Sequence, residues 1–283
     1  MGDRIAFLGT GRLGAGFVEA ALGRGDSVTV WNRTADKARA LESHGATFAA
    51  TPADAVRGAV RVHLVLKDDA SVESVIGELR SGLAPTAIIV DHTTTQPALT
   101  AERARRLNAE GVRYLHCPVF IGPAMARKGQ GIILAAGPRA LFDDVQPALA
   151  RQATTVEYLG ERAEQAAVLK LCGNAYLVGT TGVVSDMLTI ATRGGLTAAE
   201  AMHLFDFFNP ATIISGRGKL MAARDFSTSF ELVMARKDVR LMMETAGTAP
   251  LATLPSIAER MDELIAAGHG EKDMSVIAID AVR

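Results

Sequence analysis

Residues Arg4 to Gly16 read RIAFLGTGRLGAG, a short apolar run that breaks into glycines and then into a helical pattern. The order predicts a strand, a tight turn and a helix N-terminus. Gly9, Gly11 and Gly14 fit G-x-G-x-x-G, in which the first glycine permits the turn, the second lets the backbone approach a pyrophosphate and the third allows close helix packing. The N–H groups at the helix start would face the phosphates. A glycine-rich turn without a ligand gives the same motif in isolation. Here it opens the helical spacing Leu13, Phe17, Ala20, Ala21 and leads on to a second strand, SVTVW, so a dinucleotide site is expected.

Length and composition agree with that start. At 283 residues the chain is natural for two domains. A formal net charge of -1 gives no electrostatic reason to expect nucleic acid or an anionic membrane, which leaves a small molecule as the expected partner. Cys117 and Cys172 are the two cysteines; without C-x-x-C spacing they suggest neither a disulfide framework nor a thiolate metal site, and a cytoplasmic setting is expected. The first apolar residues run directly into glycines and Arg12, so no secretory leader is expected. The longest uncharged segment, Leu171 to Ser185, is shorter than the ~20 apolar residues of a spanning helix and contains Asn174, Thr180 and Thr181. It is expected to be a buried helix of a soluble domain, with no membrane partner; it carries more apolar surface than one small helical domain covers and is expected at the domain junction and a dimer interface.

The end of the second strand bears on the choice of cofactor. A carboxylate there would bind the adenosine ribose hydroxyls and repel a 2′-phosphate. This chain has Asn32, Arg33 and Thr34, with Lys37 one turn on. An amide, a guanidinium and a hydroxyl suit a phosphate, which favours NADP over NAD. The blander reading is a solvated Arg33 and a Thr34 that caps a helix running to His44, which Gly45 ends.

Further strands are expected over Arg61 to Leu66, Ala87 to Val90, Val112 to Val119, Gly131 to Ala136 and Thr154 to Leu159, with helices over Ala70 to Arg80 and Pro97 to Glu110 and a short one opening at Thr51-Pro52. The first of these strands ends in Lys67, Asp68 and Asp69, at the sheet edge where open α/β folds place ligands. Strands alternating with helices imply a doubly wound, mostly parallel Rossmann-type sheet over residues 1–160. From Arg162 strand signals stop, and an all-helical domain, residues 161–283, is expected. It begins with a long helix, Glu164 to Arg193, and continues with helices near Ala198 to Phe207, Thr228 to Thr245 and Thr253 to Ala267. Gly173, Gly179 and Gly182 inside the long helix each cost roughly 1 kcal/mol against Ala, which implies a close approach to that surface.

Lys170 and Asn174 lie four residues apart on one face of this helix, among Ala166, Ala167, Leu169, Leu171 and Tyr176. Burial there would lower the lysine pKa toward the range of a general acid. An isolated surface lysine would look the same in sequence. His116 and Cys117 have no second ligand pair at suitable spacing, so a metal site is not expected there.

With these stretches in hand, the chain resembles the β-hydroxyacid dehydrogenases, a family that includes 3-hydroxyisobutyrate dehydrogenase and glyoxylate/succinic semialdehyde reductases, over essentially its whole length. GTGRLGAG looks like the family's glycine motif, which places Gly9, Gly11, Arg12, Leu13 and Gly14 at the cofactor. LKDD, with Leu66, Lys67 and Asp68, is similar to its L-x-D strand end, and VDHTTTQP, with Thr94, to its V-D-x-S-T-x-x-P. KLCGN corresponds to K-L-x-x-N, in which the lysine is the catalytic acid/base, and ARKDVRL to a late K-D-L segment whose lysine, here Lys237, lies near the nicotinamide. The resemblance implies an NADP-dependent oxidoreductase acting on a small aldehyde, semialdehyde or hydroxy acid, assembled as a homodimer or homotetramer. Two departures stand out. The substrate motif D-A-P-V-S-G-G is here His116 to Gly122, so that Phe120 and Ile121 replace a hydroxyl and a glycine before Gly122, and the glycines usual ahead of the lysine are missing over Arg162 to Gln165. Phe120, Ile121 and Gly122 are therefore expected to line an apolar substrate site beside Lys170 and Asn174, with a substrate carboxylate held by backbone N–H groups near Gly122, by a cation such as Lys219, or not recognised at all. Imine reductases share this architecture but generally lack lysine at the matching position; a cofactor-binding protein without turnover is the non-enzyme alternative.

Overall fold

The computed structural model describes residues 2–282, and its packing divides the chain into two compact units after Asn174. The first unit alternates β1 (Arg4–Leu8), α1 (Arg12–Gly23), β2 (Ser27–Trp31), α2 (Ala35–Arg39), β3 (Thr47–Phe48), α3 (Pro52–Val56), β4 (Arg61–Leu64), α4 (Asp69–Leu79), β5 (Ile88–Asp91), α5 (Pro97–Ala109) and β6 (Arg113–His116). The six strands form one parallel sheet in the order β3-β2-β1-β4-β5-β6. Side chains alternate across it. Ile5, Phe7, Val28 and Val30 bury against Phe17 and Val18 of α1, while Ala6, Leu8, Val62 and Leu64 bury against Val72, Val75, Ile76 and Leu79 of α4. A parallel sheet covered on both faces needs such apolar strands. The strand order reverses between β1 and β4, and open α/β folds place their ligands beyond the strand ends at that point.

A second sheet, β7-β8-β9, follows, built from β7 (Val119–Phe120), β8 (Ile132–Ala135) and β9 (Thr155–Tyr158), with α6 (Pro123–Arg127) and α7 (Arg139–Leu149) between them. β7 runs antiparallel to β8 and β8 parallel to β9. The single strand expected from Val112 to Val119 is thus two strands and a corner. Cys117 N–H donates to Asp91 O at 2.7 Å in the first sheet, and Pro118 O accepts from Leu134 N at 2.9 Å in the second. Pro118, which has no N–H to give, marks the crossing. The helix expected to run to His44 breaks after Arg39, and Gly45, with φ of 99°, ends the 3-10 turn that follows.

The helix α8 (Glu164–Arg193) has the bounds the spacing predicts, 30 residues and about 45 Å of axis. In the second unit it is followed by α9 (Ala198–His203), α10 (Ala211–Ile213), α11 (Lys219–Ala222), α12 (Leu232–Ala246) and α13 (Leu254–Leu264), with no strand among the described residues. Leu232, Ala235 and Val239 of α12 pack on Ala258, Met261 and Leu264 of α13. Asp186 of α8 accepts hydrogen bonds from the N–H groups of Ala252, Thr253 and Leu254 at 2.6, 2.9 and 3.0 Å and so caps α13. Burial pushes the pKa of Asp186 up, but these bonds and the Thr253 hydroxyl outweigh it and hold the carboxyl below its usual range.

One expectation about α8 needs correction. Leu171 to Ser185 is not buried in the single chain: Leu177 is 55% and Val178 74% exposed. By length and composition α8 is also apolar enough to cross a membrane, with mean hydropathy 1.3 over its best 18 residues. Small and apolar residues line every face of this segment, and the neighbours in one chain cover only some of them. The glycines do mark close approaches at two of three positions. A Cβ on Gly173 would lie 2.2 Å from Phe120 Cζ and one on Gly182 2.6 Å from Thr253 Cγ2, whereas Gly179 faces open space.

Candidate active site

At the C-terminal ends of β1, β2 and β4 lies a cleft of about 680 Å³, lined by Gly9, Gly11, Asn32, Arg33, Thr34, Lys37, Leu66, Lys67 and Asp68 among others. Gly9 turns the chain with φ of 101°, in the region that disfavours any side chain, and its N–H donates to Trp31 O at 2.9 Å. A Cβ on Gly14 would lie 2.0 Å from Gly9 O, whereas one on Gly11 would meet nothing within 4 Å. The space over Gly11 is open to the cleft, and no side chain caps α1, so its first N–H groups are left for a ligand. Backbone and cleft therefore fit a dinucleotide pyrophosphate. Arg12 and Leu13 sit on the first turn of α1, Arg12 exposed and Leu13 packed on the core; neither lines the cleft.

The rim beyond β2 is ordered by Asn32, whose Oδ1 accepts from Thr10 N at 3.0 Å and whose Nδ2 donates to Thr34 O at 2.9 Å. Its amide thus has internal partners. Thr34 stands at the start of α2 without capping it through its side chain, so capping does not account for the hydroxyl. Arg33, Thr34 and Lys37 are exposed on the cleft wall. Across the cleft, Asp68 caps α4: Oδ1 accepts from Ser71 N at 2.9 Å and from Ser71 Oγ at 2.6 Å, which holds its pKa below the usual range. Leu66 N donates to Thr93 Oγ1 at 3.1 Å, and Lys67 projects outward 3.7 Å from Asp68. Thr94 is exposed and lies outside the cleft lining.

A second cluster joins the end of β7 to α8. Lys170 is only 8% exposed, its Nζ donates to Asn174 Oδ1 at 2.8 Å, and the ammonium stands 3.9 Å from the centroid of the Phe120 ring. Burial lowers its pKa. Of the two readings the sequence spacing leaves open, a surface lysine and a buried one, Lys170 is the buried one. Alternation along the chain turns Ile121 the other way, onto the core of the first unit and against Gly131, so Phe120 alone of the two reaches Lys170. Gly122 opens α6, with free space where a Cβ would be. Lys237 lies on α12, 2.9 Å from Asp238, and Lys219 on α11, both in the second unit.

Sequence reasoning missed a buried polar network beneath the cleft. His92 Nδ1 lies 2.8 Å from Cys117 O, and His92 Nε2 lies 3.0 Å from His63 Nδ1. A carbonyl only accepts, so His92 donates from Nδ1, accepts at Nε2 from His63, and leaves His63 Nε2 without a partner. Burial depresses the pKa of His63 well below normal, that of His92 to about 4 and that of His116 to about 3, so all three are neutral. Asp91 beside them accepts from Tyr114 Oη at 2.8 Å and Thr93 N at 2.9 Å. Histidines on or just past adjacent strands β4, β5 and β6 were the available signal.

Residues 4–160 match the family model described as the NAD binding domain of 6-phosphogluconate dehydrogenase, and residues 165–279 that of the NAD-binding domain of NADP-dependent 3-hydroxyisobutyrate dehydrogenase. The chain is 28% identical to glyoxylate/succinic semialdehyde reductase 1 of Arabidopsis thaliana, covering 99% of this chain and 98% of that protein. It is also 28% identical to cytokine-like nuclear factor N-PAC of Homo sapiens, covering 97% of this chain while spanning only 50% of that protein's length. Two solved structures share the fold: an imine reductase from Myxococcus stipitatus in complex with NADP+, with TM-score 0.88, 21% identity and coverage of 97% and 98%, and a reductive aminase from Aspergillus terreus in complex with NADPH and ethyl levulinate, with TM-score 0.84, 24% identity and coverage of 100% of both chains. Glycine turn, parallel sheet, helical second unit and the two family matches agree along nearly the whole chain, which belongs to the β-hydroxyacid dehydrogenase family of NAD(P)-binding oxidoreductases.

Proposed function

We propose that the protein is an NADP-dependent reductase that interconverts a small aldehyde or semialdehyde with the corresponding alcohol or 3-hydroxy acid, with Lys170 as the proton donor. The observation that carries this reading is the Lys170 ammonium, buried, hydrogen-bonded to Asn174 and lowered in pKa by burial. Bound in the glycine-lined cleft, the dinucleotide would supply the hydride. Gly11 and the first turn of α1 would receive its pyrophosphate, and Arg33, Thr34 and Lys37 a 2′-phosphate, since no carboxylate stands at the end of β2. As the carbonyl carbon accepts hydride, Lys170 gives a proton from Nζ to the carbonyl oxygen, and Asn174 keeps that donor in place. Phe120 stands where the family motif carries a serine and offers no hydroxyl to a substrate carboxylate, which favours compact or apolar aldehydes.

The same apolar ring also favours imine reduction as a second reading. With NADPH, a panel of aldehydes, semialdehydes and cyclic imines separates the two. Aldehydes should turn over fastest, and Lys170→Met should lower kcat on them by about 10²–10⁴-fold. Faster imine turnover that survives Lys170→Met selects the second reading, and no turnover at all selects a cofactor-binding role. The exposed apolar residues of α8, among them Leu177 and Val178, are proposed to be covered by a second copy of the chain. Both cysteines are free, which supports a cytoplasmic setting.

A further inference from the structure

Phe120 stands where the family motif carries serine, and the helix opposite it is built to receive the ring. Cζ, Cε1 and Cε2 of Phe120 would lie 2.2, 2.7 and 3.2 Å from a Cβ on Gly173, so the ring edge sits directly on the α8 backbone and any side chain at 173 would expel it. Gly173 follows Lys170 by three residues and shares its side of the helix. Seated there, the ring lies 3.9 Å from Nζ at its centroid. Phe120 also packs on the buried cluster of Leu134, Ala136 and Ala166.

The ammonium has three N–H donors and no acceptor. Asn174 Oδ1 takes one at 2.8 Å and the ring shields another side, which leaves one for a substrate oxygen. Burial disfavours the charged form of a lysine, whereas the negative face of an aromatic ring favours it. No charged group adds to the effect of burial on Lys170, so the ring and the Asn174 oxygen are the counterweights at hand.

We propose that Phe120 is a positioning residue, whose ring face holds the Lys170 ammonium against Asn174 and keeps it charged as the proton donor. This rests on the assignment of Lys170 to the reduction proposed above. In place of a hydroxyl that would bind substrate, the chain uses an aromatic face that acts on the lysine, and Gly173 is the matching half of the device.

The test is the pH profile of kcat/KM for aldehyde reduction with NADPH, in wild type, Lys170→Met, Phe120→Leu and a protein carrying 3,5-difluorophenylalanine at position 120. The fluorinated ring keeps the packing on Gly173 but has a less negative face, so it guards against a folding defect in the leucine variant. Wild type should lose activity through a basic limb that is absent in Lys170→Met. Phe120→Leu should move that limb down by about one pH unit, and the fluorinated ring should move it the same way by less. A basic limb that is present in wild type, absent in Lys170→Met and unmoved by either change at 120 overturns the positioning role and leaves Lys170 as the donor. A limb unchanged in Lys170→Met overturns both.

Discussion

At the scale of single residues, the proposed function puts binding and chemistry on different side chains. Arg33 lies exposed on the cleft wall at the end of β2, and Lys170 is buried on α8. A charge-assisted hydrogen bond contributes roughly 1.5–3 kcal/mol, or about 10- to 150-fold in affinity. Arg33→Ala is therefore expected to weaken NADPH at least tenfold by fluorescence titration while leaving NADH nearly unchanged; equal losses for both would remove Arg33 from the phosphate site. Lys170 and Asn174 were legible because four-residue spacing on a helix fixes a shared face. The contact of Phe120 with Lys170 was not, because it joins β7 to α8 across 50 residues of chain and depends on a missing side chain at Gly173. The position of Ile121 was misleading for a related reason: strand alternation sends it to the core, and a dipeptide gives no sign of which member faces the site.

Among the elements, α8 was the most legible, because 30 residues of unbroken helical spacing leave few alternatives. Its environment was not. Its apolar surface exceeds what one small helical domain covers, and Tyr176, Leu177 and Val178 are exposed in the single chain, but the sequence does not say which faces that chain leaves open. A second copy is the expected cover, so light scattering at micromolar concentration should give at least twice the chain mass, and Leu177→Glu should shift it toward the monomer. A wild-type monomer would contradict this. The strand read as continuous from Val112 to Val119 shows the opposite limit. Its apolar pattern runs on while Pro118 moves the chain from one sheet to the next, and pattern alone does not register a change of partner. The helix α7 escaped notice although Phe142, Val145 and Leu149 share its buried face, with Pro147 near its end reading as a breaker.

For the whole molecule, the change from alternating strands to helices was plain from where strands stop, but the boundary expected at residue 160 lies after Asn174, because the first turns of α8 pack with the first unit, and the histidines inside that unit were invisible as a group. They bear on stability. His92 and His116 titrate at about 4 and 3 in the fold, and His63 is also depressed, against an unfolded value near 6.5. Between pH 6.5 and 4 the unfolded chain binds protons that the native state refuses, so stability falls as pH falls, by about 1.4 kcal/mol per pH unit for each group. Asp91, raised by burial, takes up a proton on the way down and offsets part of this. Tm should drop by about 10 °C or more from pH 7.5 to 4.5, and by less in His116→Gln; a flat Tm would contradict the neutral network. The central claim, that a buried lysine delivers the proton in an NADPH-dependent reduction, is tested most directly by single-turnover loss of NADPH absorbance with enzyme in excess, comparing wild type with Lys170→Met at equal cofactor occupancy. The account predicts a rate about 10²–10⁴-fold lower in the variant with NADPH still bound. Hydride transfer at the wild-type rate would contradict it.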